Sequence, residues 1–496
     1  MKRHLITTFI FAALMPAACA QFALAAPPGE AEAEAEAVAA IERLGGRVER
    51  DSRQKNSPVV KVVLSGAEVG DEALRHIAAF AQLRELYLTE TEVTDMGLRH
   101  LGELANLESL EISDAPITDA ALEPIAQLKR LVKLDLNYSP ISDAGLVHLK
   151  GLTRLQTLNL WHTPVTEAGL VHLAPLVNLR TLDLTETTVT GQGLAHLATL
   201  AQLETLELGF TPIDNADLAR LKGLGALRTL NLPETRITDL GLEHLAELAN
   251  LETLNLGETA VTDAGMKHVA RLAKLEVLDL FATRVGDAGL AHLADLANLK
   301  TLNLHDTDVT DVGMVHLPAL TQLRTLNLAH TGVTDEGLEE LRPLADLESL
   351  SLWNTRVTNA GMAAVAAHPK LGTLDLGQTD VTDGGLRRLA RLASLKTLVL
   401  AGTQVGDDGL GYLATLPMLR LLTLNHTSVT DAGLRQLQGM GQLHTLHLAG
   451  TRVTDQGLAQ LKPLAQLRAL GLQGTAVTGA GVAGLHEALP MLKITQ

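Results

Sequence analysis

The chain has 496 residues, 46% of them hydrophobic and only 2% aromatic. Forty Lys and Arg stand against 57 Asp and Glu, for a net charge of −17, and there is one cysteine. That balance argues against nucleic-acid binding, which rests on neutralising phosphates, and against disulfide scaffolds and multi-cysteine zinc folds; the hydrophobic content excludes a disordered chain.

Lys2 and Arg3 precede an apolar run from Leu5 to Ala18. Two small-residue sites follow, Ala18-Cys19-Ala20 and Ala23-Leu24-Ala25. This is the pattern of a secretory signal peptide, so residues 1–25 are expected to be removed and the rest to be secreted, periplasmic or held at the cell envelope. The run is short for crossing a bilayer, and no later segment is apolar enough to do so. Pro16-Ala17-Ala18-Cys19 resembles a bacterial lipobox with Pro in place of the usual Leu, which leaves lipid attachment at Cys19 as the lesser alternative.

Residues 26–57 read as an N-terminal cap. Glu and Ala alternate from Glu30 and favour helix; Val38, Ile41 and Leu44 then recur at helical spacing, and Gly45-Gly46 stops the run. The charged stretch from Arg50 to Ser57 reads as a loop.

Residues 58–496 read as an array of about 18 copies of one 24-residue repeat with a C-terminal cap. Leu86 opens a column that stays Leu in 17 successive copies as far as Leu470, with Val62 before it and Ile494 after it. Two residues on, Leu fills 16 of 17 positions, and Ile112 fills the other. Leu86-Tyr87-Leu88 alternates as a strand must. Thr94-Asp95 offers a helix start, with a cap and a negative charge. Gly97 recurs in 15 of 17 copies, which predicts close packing between coils. Leu98 and Leu101 face inward from a helix that Pro175, Pro343 and Pro463 limit to about two turns. Strands stack at about 4.8 Å and helices at about 8–10 Å, so the array must curve with strands inside and helices outside.

The consensus L-x-x-L-x-L-x-x-T-x-V-T-D-x-G-L resembles the leucine-rich repeat family, and most closely its cysteine-containing class, known from F-box proteins, with Thr in the cysteine column. The resemblance implies an α/β solenoid: a curved horseshoe with a parallel sheet on the concave side and short helices on the convex side. It resembles the secreted bacterial members of that family. No F-box helices precede residue 58. Fold alone does not name a partner.

No H-E-x-x-H, G-x-S-x-G, phosphate loop or C-x-x-C occurs, so neither an enzyme nor a cofactor is expected. The G-x-G-x-x-G at Gly479–Gly484 reuses the repeat's own glycine, Gly481. Nine of 18 histidines share one helix column from His76 to His316. Such a column could bind metal or sense pH, but two positions from inward Leu98 it reads as a flank residue packing between helices. The Asp95 column is read as helix capping rather than a calcium ladder. Thr91 and its successors read as a buried hydroxyl ladder bonded to backbone.

The concave columns hold the candidate site. Six of the eight aromatics after residue 25 fall in the columns of Tyr87, Thr89 and Glu90: Tyr87, Tyr138, Trp161, Phe210, Phe281 and Trp353. The same columns carry Glu111, His162, Asp183, Glu207, Glu234 and Glu258. Aromatic anchors among acids suit a protein or peptide partner with basic character, and a glycan also fits such a face. The alternative is a structural or adhesion component of the envelope with no single defined site.

Overall fold

The computed structural model describes residues 30–496 apart from Lys55 and Ala67, so the signal-peptide and lipobox readings lie outside the described residues. Helix α1 (Glu30–Arg43) buries Ala37, Ala40 and Ile41. Gly45, at φ +77°, turns the chain out of it, as a residue without Cβ does at low cost. The stretch after Arg50 is turn and loop, as expected, but a strand that the sequence reading did not anticipate precedes it. Strand β1 (Arg47–Arg50) pairs antiparallel with β2 (Val59–Ser65) and covers the outer edge of the sheet there. Its sequence, Arg-Val-Glu-Arg, carries a single apolar residue, too little alternation to announce a strand.

From β2 onward every strand pairs in parallel with the next. β3 (Glu85–Thr89) takes the register Leu86↔Leu110 with its successor, and the series closes at Leu470↔Ile494. The described residues form one open sheet of 20 strands. Each register is a shift of one 24-residue coil, so every sequence column becomes a straight row across the sheet. The opposite layer consists of short α-helices, such as Asp263–Val269 and Asp335–Glu339, some of them continued as 3-10 turns. Between the layers lie the leucine rows; Leu86, Leu278 and Leu398 have no exposed surface. No coil encloses its own leucines, and burial comes from its neighbours on both sides.

Three rows fix the coils: one braces each coil's own turn, and two link neighbouring coils. The Thr row is buried and bonds as expected: Thr163 Oγ1 donates to Leu160 O at 2.6 Å and Thr331 Oγ1 to Leu328 O at 2.6 Å. The Asp row does more than begin its own helix. Thr94 is the N-cap, accepting from Met96 N–H, while Asp71 of the coil before accepts the Thr94 N–H at 2.8 Å and the Thr94 hydroxyl at 2.8 Å. The glycine row follows from this link. A Cβ on Gly97 would stand 2.4 Å from Asp71 Oδ1. Where Ala121 replaces that glycine, the helix begins with a 3-10 turn instead.

The third row lies in the turn that follows each strand. All 17 residues from Glu90 to Gly474 in that column are left-handed, 14 of them with side chains at φ between +50° and +57°. Those from Glu90 to Gly450 turn the N–H onto the next coil; Phe210 N–H donates to Pro233 O at 2.8 Å and Ala282 N–H to His305 O at 2.9 Å.

Candidate functional site on the concave face

Tyr87 points to the concave surface from its strand, between buried Leu86 and Leu88, while Trp161 and Phe281 stand two residues beyond their strands, each directly after a buried leucine, Leu160 or Leu280. The left-handed turn projects the next residue from the rim of that face. Tyr138, Phe210 and Trp353 are exposed, at 42%, 45% and 36%, whereas Tyr87, Trp161 and Phe281 are half-buried. The half-buried three are braced by their own neighbours. Lys61 Nζ stands 5.3 Å from the Tyr87 ring centre, and the Tyr87 hydroxyl donates to Glu85 at 3.0 Å.

Four of the six aromatics gather in two clusters. In the first, Tyr138 meets Trp161 edge-on at 4.8 Å and tilts over His162 at 4.6 Å. His162 Nδ1 lies 2.6 Å from Glu186 Oε2. Trp161 Nε1 is buried and has no hydrogen-bond partner among the described residues. In the second, Phe281 packs edge-on against His305 at 5.0 Å, and Trp353 lies 6.2 Å from both His305 and His330. Asp306 stands 3.2 Å from His330 Nδ1. His305 and His330 were missed in the sequence because they lie outside the helix column that holds half the histidines. The signal was their position in the same concave columns as the aromatics.

The acids divide into committed and open groups. Glu111 pairs with Lys133 at 3.3 Å. Asp183 accepts the Thr185 N–H at 2.9 Å, and Glu207 accepts from the Asn231 amide at 2.6 Å. That Asp/Asn row is partly structural: Asn159, Asp279 and Asp375 likewise accept the N–H two residues on and brace the turn. Burial raises the carboxyls of Asp135, Glu207 and Asp375 above the ordinary range. Glu234 and Glu258 are exposed, and among the described residues neither pairs with a cation. Partial burial and the neighbouring Glu234 raise the Glu258 carboxyl, which marks a spot short of positive charge. Phe210 lies beside this pair along the same row. No group of three or more metal-ligating side chains occurs among the described residues, and no described helix is long and apolar enough to cross a membrane.

Comparison with known proteins fits this geometry. A family model described as a leucine-rich repeat region matches residues 190–438, half of the chain, and a second leucine-rich repeat model matches residues 103–126. Among solved structures, an internalin from Listeria monocytogenes is similar at 25% identity and TM-score 0.54, over 69% of this chain and 94% of its own. A leucine-rich repeat protein of Leptospira interrogans is similar at 20% identity and TM-score 0.52, over 86% of this chain and 98% of its own. A TDR receptor shares the fold at 16% identity and TM-score 0.50, over 88% and 84%. The search of curated proteins gave no match. An unbroken 24-residue register, rows of leucine sealed between a parallel sheet and short helices, and a repeat model spanning half the sequence agree on one assignment: the chain belongs to the leucine-rich repeat family.

Proposed function

We propose that the protein is a non-enzymatic scaffold, exported to the periplasm, envelope or exterior, that binds a polypeptide partner along its concave sheet. The single observation that carries this reading is the placement of Glu234 and Glu258, open and unneutralised, between two aromatic clusters on a rigid row. Phe210 and Trp353 supply apolar anchors, and the carboxylates select a segment bearing Lys or Arg. Export rests on the Lys2-to-Ala25 pattern. The cysteine-containing class of repeat is supported by the Thr row, whose hydroxyls bond where that class places a thiol.

The test is capture from envelope and extracellular fractions on residues 26–496. A parallel bait carries Trp161→Ala, Phe210→Ala and Phe281→Ala, and a third carries Glu234→Lys and Glu258→Lys. A partner held by the first bait and lost from both others supports the reading. Equal retention by all three moves the site off the concave face, and absence of any partner favours a structural role in the envelope.

A further inference from the structure

The convex layer holds a second feature, independent of the concave reading. Between three successive coils lies a cleft of about 530 Å³, lined by Arg342, Arg387, Arg388 and Arg391. No acidic residue lines it. Its origin is a local loss of side-chain bulk. The middle coil presents Ala363, Ala366 and Ala367 where the coil before carries Glu339, Arg342 and Pro343, and where the coil after carries Arg387, Ala390 and Arg391. The flanking helices therefore stand as walls about two helix spacings apart, roughly 16–20 Å, over an alanine floor.

Among the described residues, three of the four lining arginines carry uncompensated charge. Arg342 is held by Glu339 of its own coil, three residues before it. Among the described residues, Arg387, Arg388 and Arg391 form no ion pair, in a chain with 57 acids and 40 Lys and Arg. Arg387 and Arg391 are four residues apart, so their like charges face each other at a helix end. A helix C-terminus favours one nearby cation. It does not account for four guanidiniums turned onto one alanine-floored space.

We propose that this cleft binds a ligand carrying clustered phosphate groups. Guanidinium forks match the oxygens of phosphate bidentately, and each phosphate group brings more charge than a carboxylate. The volume suits a small polyphosphorylated molecule or a phosphate-bearing head group.

The test is isothermal titration of the 26–496 chain with sodium tripolyphosphate at low salt, with citrate as the carboxylate control. Saturable tripolyphosphate binding, at least tenfold weaker in Arg388→Gln/Arg391→Gln and in Ala363→Glu, is the expected result. Both variants alter surface positions, and circular dichroism checks their fold. No binding, equal affinity in the variants, or citrate binding as tightly as tripolyphosphate overturns the proposal. A flotation arm uses phosphatidylcholine vesicles with and without phosphatidic acid. Flotation on phosphatidic acid that tripolyphosphate competes away identifies a lipid head group. Tripolyphosphate binding without flotation identifies a soluble ligand, and flotation that tripolyphosphate leaves unchanged contradicts the cleft as the site.

Discussion

Asp311 holds Thr334 of the following coil at two points: its Oδ1 accepts the Thr334 N–H at 2.8 Å and its Oδ2 accepts the Thr334 hydroxyl at 2.6 Å. Oδ1 also accepts the Gly337 N–H at 3.0 Å. One carboxylate thus fixes the start of the next coil's helix. Asp311→Ala is expected to destabilise the protein by about 2–3 kcal/mol, since it strips charge-assisted bonds from half-buried N–H groups. Asp311→Asn is expected to cost less, because Asn215 and Asn359 make the same link with amides. Urea midpoints at unchanged m-value read both.

The glycine that faces this carboxylate is replaceable only together with it. At one coil the two residue types have traded places: Gly191 stands in the Asp row, and Asp217 stands in the glycine row. Asp217 Oδ2 accepts the Asp214 N–H at 3.0 Å, the same backbone group that Asp311 serves in Thr334. A Cβ on Gly191 would lie 1.5 Å from Asp217 Oδ1. Gly337→Asp alone should therefore destabilise strongly, by about 3 kcal/mol or more, from overpacking and like charge. Adding Asp311→Gly should recover more than half of that loss. A double-mutant cycle with no coupling energy would contradict the exchange.

The left-handed row offers the opposite kind of change. Ala282 sits at φ +51° with its Cβ strained against the backbone. Ala282→Gly should stabilise by about 0.5–1 kcal/mol, relief of strain outweighing the added chain entropy. Thermal unfolding is the readout; a lower melting temperature would remove strain from the account.

His368 occupies a core column that is Leu at Leu344 and Leu392, and it is 1% exposed. Its Nδ1 lies 3.0 Å from Leu344 O, and its Nε2 has no partner among the described residues. Burial holds its pKa below the ordinary histidine value, with Arg342 adding to the effect, and burial lowers His172 and His268 in the same direction. The unfolded chain therefore binds these protons first. Stability is unaffected above the unfolded value near 6.5 and is lost as pH falls below it. His368→Leu should stabilise by about 1–2 kcal/mol at pH 7, and its advantage should widen at pH 5. Denaturant midpoints of both proteins at the two pH values decide it.

Rows of leucine made the solenoid legible, because one strand period and one coil period repeat without a gap. The six concave aromatics were placed by the same columns. Other features had no such signal. Glu90, Tyr138 and Phe210 do not advertise a left-handed turn, which is forced on them by hydrogen bonds to the next coil. Asp183 and Glu207 read as open acids because their backbone and amide partners lie in the turn or one coil away. The arginine cleft emerges only when Arg342, Ala366 and Arg391 are set side by side, and no linear motif joins them.

The uniform strand stacking also sets a ruler for anything lying along the concave face. An extended polypeptide advances about 3.3 Å per residue and the sheet about 4.8 Å per coil, so three residues span two coils, as on a vernier scale. Trp161 and Phe281 are five coils apart, about 24 Å, or about seven extended residues. Phe281 and Trp353 are three coils apart, about 14 Å, or about four residues. A partner that fills all three positions must carry its own anchors at that unequal spacing, and inserting one coil between them would shift the match by about one and a half residues.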